Sequence, residues 1–110
     1  MQERRPEFFI LTLNEEKDGL EQLVIAGQEN KRIFLTSIHA SYDVDGTNGL
    51  LQIFKGGKND LLWQGRTMGG HLSMTMIPPL VAELGESLIL NLSSKSGIKS
   101  YLSVTGYYLE

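Results

Sequence analysis

The sequence predicts an all-β fold, an eight-stranded antiparallel β-sandwich of jelly-roll type, and three observations carry that reading. Apolar residues recur at period two, most cleanly where Leu88, Leu90 and Leu92 alternate with Ser87, Ile89, Asn91 and Ser93. Turn residues (Gly, Pro, Asn and Asp) interrupt the chain about every ten residues, the spacing of short strands in sandwiches and barrels. No segment sets an N-cap before ten or more residues of helical periodicity.

Taken in order, residues 8–13 form the first extended run, followed by a polar turn at 14–19. Residues 20–26 form the second, with Leu23 and Ile25 on one face and Leu20, Gln22, Val24 and Ala26 on the other. Residues 31–42 form a long third strand rich in β-formers. Ile33 and Leu35 hold one parity there while Ile38 and Ala40 hold the other, which predicts a bulge between them. After a loop at 43–48, residues 49–55 are the fourth strand, closed by Gly56 and Gly57, and 60–64 a short fifth. In the sixth, 69–77, Leu72, Met74 and Met76 share a face, and Pro78 and Pro79 are expected to end it because neither can donate to a ladder. Residues 80–85 read as one helical turn or an apolar crossing. Residues 86–109 then read as a β-hairpin: one strand around Leu88–Leu92, a turn at 94–98, and an aromatic-rich strand from Tyr101 to Leu109.

Eight strands match the jelly roll, two four-stranded sheets in Greek-key order. The nearest competitor is a seven-stranded immunoglobulin-like sandwich, but its buried tryptophan beside a cysteine pair is missing. At 110 residues the chain is the size of one domain. The expected division is a flexible arm at residues 1–7 and a single domain at 8–110. The chain has no cysteine, so disulfides and thiolate metal sites are excluded. Net charge is −3, with both signs dispersed and no basic stripe, so a nucleic-acid partner is not expected. The apolar run at 8–13 is too short for a signal core or a membrane span, which predicts a chain made in the cytoplasm with no membrane partner.

The order of features resembles a known group. Lys31-Arg32-Ile33-Phe34-Leu35-Thr36-Ser37-Ile38 opens a strand after a turn, and Gly49-Leu50-Leu51-Gln52-Ile53 and Leu61-Leu62-Trp63 follow. Then come Pro78-Pro79-Leu80, Gly85-Glu86-Ser87-Leu88-Ile89-Leu90-Asn91-Leu92 and Val104-Thr105-Gly106-Tyr107-Tyr108. Over residues 31–109 this resembles the small jelly-roll structural proteins of tailed bacteriophages, namely head decoration (cement) proteins and modules of tails and fibres. The resemblance implies a virion component, a homotrimer seated on a capsid or tail, with no enzyme activity and no cofactor. The quoted motifs are turn and core signatures rather than chemistry.

The residues themselves agree that no reaction is spelled out. His39 and His71 have no second imidazole two to four residues away, and no nucleophile elbow is present. Lys55-Gly56-Gly57-Lys58 lacks the spacing and following helix of a phosphate loop and reads as a hairpin turn. No metal site is assigned. Asp43, Asp45 and Asn48 are the oxygens a calcium ion would use in the 43–48 loop, but Gln52 stands where an EF-hand needs a bidentate Glu. Trp63, Tyr42, Tyr101, Tyr107 and Tyr108 are aromatic enough for a sugar-stacking platform, the second functional reading: a carbohydrate-binding module, with or without calcium. The first reading is a module that works by self-association and protein contact. Its expected interface residues are Arg4, Arg5, Phe8, Trp63, Arg66, Met68 and His71.

Overall fold

The computed structural model describes residues 5–15, 20–56, 60–93 and 97–110. All regular structure in it is strand: β1 (Glu7–Glu15), β2 (Leu20–Ile25), β3 (Arg32–Tyr42), β4 (Leu50–Lys55), β5 (Asp60–Arg66), β6 (His71–Val81), β7 (Leu88–Ser93) and β8 (Ser100–Leu109). Four strands form one antiparallel sheet in the order β1-β8-β3-β6, and four form another in the order β2-β7-β4-β5. The pairs β1–β8, β2–β7, β3–β6 and β4–β5 are nested, as in one long hairpin rolled over on itself. That arrangement is the jelly roll the strand count predicted.

The core lies between the sheets. Ile33, Leu35, Ile38, Ala40, Leu102 and Val104 face inward from the first sheet; Leu23, Ile25, Leu51, Ile53, Leu88, Leu90 and Leu92 face inward from the second. The predicted bulge is present. The register of β3 against both β8 and β6 shifts between Leu35 and Ser37, so Thr36 is the extra residue that moves the inward parity from odd to even. Its hydroxyl is held by Thr105, with Oγ1 donating to the Thr105 carbonyl at 3.0 Å, and Ser37 Oγ also meets Thr105 Oγ1.

Two expectations are corrected. Residues 86–109 are not a hairpin, because β7 pairs with β2 and β4 while β8 pairs with β1 and β3. The two apolar faces oppose each other across the core instead of sharing one sheet. Lys99 decides this: its N–H donates to Asp43 Oδ1 at 3.1 Å and its carbonyl accepts from Asp43 N–H at 3.1 Å, which delivers the chain to the end of β3. The second correction is that Pro78 and Pro79 do not end β6, which runs on to Val81. Leu80 pairs with Leu35 and Thr75 with Ser37, so residues 76–79 lie opposite Thr36 alone. Such a wide bulge on an edge strand is where proline's missing donor costs nothing.

Buried tyrosines tie the layers together. Tyr42, at the end of β3, donates its hydroxyl to the Ser93 carbonyl of β7, and Gly49 leaves room for its ring. Tyr108, near the end of β8, donates to the Ala26 carbonyl just after β2 at 2.6 Å. Burial pushes both phenols above their ordinary pKa; for Tyr108 the Glu7 carboxylate adds to that and a hydrogen bond with Gln28 opposes it.

Candidate functional site

The two layers meet differently along their two long sides. On the β1/β2 side the interlayer space is filled by Phe9, whose ring lies 5.3 Å from that of Tyr108. Gly106 on β8 gives Phe9 its place: a Cβ there would meet the Phe34 carbonyl and come within 2.7 Å of the Phe9 ring. On the β5/β6 side the space stays open as a groove of about 400 Å³ lined by Trp63, Met74, Thr75, Met76, Ile77, Pro78, Pro79 and Leu80.

The register explains the groove. Trp63 pairs with Ile53 and Gly65 with Leu51, both inward-facing, so Trp63 and Gly65 also point between the sheets. The indole lies back along its own strand over Gly65, where a Cβ would come 2.5 Å from it. It therefore does not reach across to fill the gap below β6. From β6, Met74 pairs with Ile38 and Leu80 with Leu35, so both face inward, while the four-residue bulge carries Ile77 outward to 87% exposure. The groove thus offers an indole, two thioethers, two proline rings and aliphatic carbon, with Thr75 as its sole hydroxyl.

The expected interface residues fall into two groups. Trp63, Arg66, Met68 and His71 lie on β5 and the corner that joins it to β6. Gly69 and Gly70, both at positive φ, make that corner a two-residue turn closed by backbone bonds between Met68 and His71 of 2.7 and 3.2 Å. Met68 is 82% exposed, and Arg66 and His71 are exposed as well. Arg5 and Phe8 lie at the far edge of the other sheet, so one contiguous site does not contain them all. Arg4 lies outside the described residues.

Around Phe8 stands a surface that the sequence reading did not assemble. Phe8, Tyr107, Phe34 and Val81 pair in turn across all four strands, forming one row on the outer face of the first sheet. Tyr107 stacks on Phe34 with centroids 4.8 Å apart and planes 8° from parallel, and Phe8 tilts onto Tyr107 at 5.7 Å. Phe8 and its neighbour Ile10 are each 76% exposed. The signal was present in residues 8–13, Phe-Phe-Ile-Leu-Thr-Leu, which is apolar at both parities and so has one apolar face more than the core can use.

The other candidates are placed as follows. Asp43 spends its carboxylate on Lys99 N–H, while Asp45 and Asn48 are exposed. The Val44 carbonyl accepts from Thr47 Oγ1 at 2.7 Å. Among the described residues no three His, Cys, Asp or Glu side chains gather as a metal site would require. Of the five aromatics offered for sugar stacking, Tyr42 and Tyr108 are buried and Trp63 packs against the core.

No family of known proteins matches this chain, and no curated protein does. Among solved structures, the fold is similar to part of the insecticidal delta-endotoxin Cry8Ea1 of Bacillus thuringiensis, with a TM-score of 0.45 and 14% identity. That likeness covers 96% of this chain and 19% of the toxin, so this chain spans about a fifth of the toxin's length. So distant a likeness says nothing of what this chain binds.

Proposed function

We propose that this chain is a non-enzymatic structural module of a virion, of the capsid-decoration or tail-associated kind, that works by protein–protein contact. The observation that carries the contact is the β5/β6 groove, with Ile77 displayed at its rim. A groove lined by indole, thioether and proline carbon takes apolar side chains from a protein partner; a sugar would find one hydroxyl there to bond. Met68, Arg66 and His71 at the adjacent corner extend the same side with one apolar and two polar contacts. The virion setting rests on the sequence resemblance.

The test is the composition of purified particles from the organism that encodes the chain. The chain is expected in them at a fixed copy number, and Ile77→Asp is expected to remove it from particles while leaving its fold unchanged. Absence of the native chain from particles, or saturable binding of an oligosaccharide, would replace this reading with another.

A further inference from the structure

We infer that Trp63 is a two-position gate on the β5/β6 groove: its indole lies over Gly65 when the groove is open and turns between the sheets to close it. The inference deepens the groove reading above and rests on it only for what the open groove receives.

The groove sits in a frame that is tied at both ends. At one end β5 runs into β6 through the Met68–His71 turn, and Thr67, 2% exposed, anchors that corner. Its Oγ1 donates to the Thr47 carbonyl at 2.9 Å and accepts from Gly49 N–H at 2.9 Å. At the other end Lys55 Nζ, on β4, meets Glu83 Oε1, just after β6, at 3.0 Å. With the layers tied at their ends, an interval between them is closed by a turning side chain rather than by movement of the sheets.

Trp63 is the lining residue with both the size and the freedom to turn. Its Cβ points between the sheets, because Trp63 pairs with inward-facing Ile53. The ring rests over Gly65 only because no side chain stands there. Other ways are taken. Ile53 pairs with Trp63 but Phe54 with Leu61, so Leu62 is the extra residue of β5, and it packs against the core beside the indole. Leu51 and Ile53, both fully buried, fill the side toward β4. The direction left open is across the groove toward Met74, Met76 and Leu80. There the 76–79 bulge has turned Ile77 outward, and about 400 Å³, a volume fit for a small ligand, is ample for one indole.

Both positions cover apolar surface. Over Gly65 the ring shields bare backbone; in the groove it meets two thioethers, which are adaptable and favourable neighbours of an aromatic ring. The groove's apparent affinity for a partner is reduced by the fraction of chains whose indole is turned in. A partner that enters shifts the indole back over Gly65, so the missing side chain at 65 sets how far the groove stands open.

Trp63 is the sole tryptophan of the chain, so its fluorescence reports the gate alone. Gly65→Ala places a methyl group where the ring now lies and is expected to drive it into the groove. The emission maximum is then expected to move to the blue and acrylamide quenching to fall, with an unchanged circular dichroism spectrum. In the native chain made with fluorotryptophan, fluorine NMR is expected to show two exchanging environments for the one ring. A native ring in a single environment overturns the proposal, and this measurement decides if Gly65→Ala does not fold. So does a folded Gly65→Ala whose emission and quenching match those of the native chain.

Binding to particles separates the gate from the groove reading. The share of Gly65→Ala on particles is expected to fall about tenfold. An indole that moves in Gly65→Ala while that variant and Ile77→Asp both stay on particles keeps the gate and ends the groove reading. Loss of Ile77→Asp from particles with an indole unmoved in Gly65→Ala ends the gate and keeps the groove.

Discussion

On the β1/β2 side, Phe9 and Tyr108 fill the space between the layers, and the Tyr108 hydroxyl is bonded to the Ala26 carbonyl just after β2. On the β5/β6 side, Trp63 is as large as either, yet a groove remains. The difference lies in where each ring is sent. Gly106 sits on a neighbouring strand, so the space its missing side chain leaves draws Phe9 across the sheet. Gly65 sits two residues from Trp63 on the same strand, so the indole folds back along β5 and leaves the interlayer space empty. The bulge at 76–79 then lifts Ile77 outward where it could have helped close the gap. An apolar residue count does not tell a closed side from an open one; the placement of two glycines does.

The midline between the two sides sets the scale: Leu90 is fully buried on β7 between Leu23 and Ile53, and Leu90→Ala is expected to cost about 2–5 kcal/mol in urea unfolding. On the closed side, Gly106→Ala brings a methyl group against the Phe34 carbonyl, which is backbone, and is expected to cost toward the upper end of about 1–3 kcal/mol. On the open side, Gly65→Ala meets the far end of a side chain that can swing into the groove, and is expected to cost less than ~1 kcal/mol. Equal costs for the two alanines would break the comparison.

An effect of similar size tests the clasp. Tyr108→Phe removes one hydroxyl donor from the Ala26 carbonyl and is expected to cost about 1 kcal/mol. The native phenols at 42 and 108 have pKa values raised by burial, so the folded state holds their protons more firmly than the unfolded chain does. Stability is therefore expected to be unaffected by these groups below pH 10, the ordinary tyrosine value, and to fall as pH rises above it through the raised values. Thermal melts of the native chain and Tyr108→Phe at alkaline pH check this, and a gain in stability with pH would reverse the assignment. Smallest of all is Ile77→Asp. At 87% exposure it is expected to change stability by no more than ~0.5 kcal/mol, which makes it the clean probe of the groove.

Much of the candidate site was legible piecemeal. Trp63, Arg66, Met68 and His71 were readable as a cluster because they lie within nine residues of one another. Ile77 was not, because prolines that follow a strand residue read as a stop, and an interruption at an edge looks the same in sequence as an ending. The Phe8–Tyr107–Phe34–Val81 row joins residues up to 99 positions apart. Pairing alone brings them together.

By itself the sequence determined the local terms. Period-two alternation specified extended backbone, turn residues divided it into eight runs, and the parity change around Thr36 located the bulge, because each depends on neighbours a few residues away. Which sheet receives each strand was decided by the tertiary structure. β7 and β8 have the same alternation and could lie side by side or face to face; the bonds between Lys99 and Asp43, 56 positions apart, select the second. The open groove and the exposed β1 edge follow from that choice, since both are boundaries of sheets that do not exist until distant strands have paired.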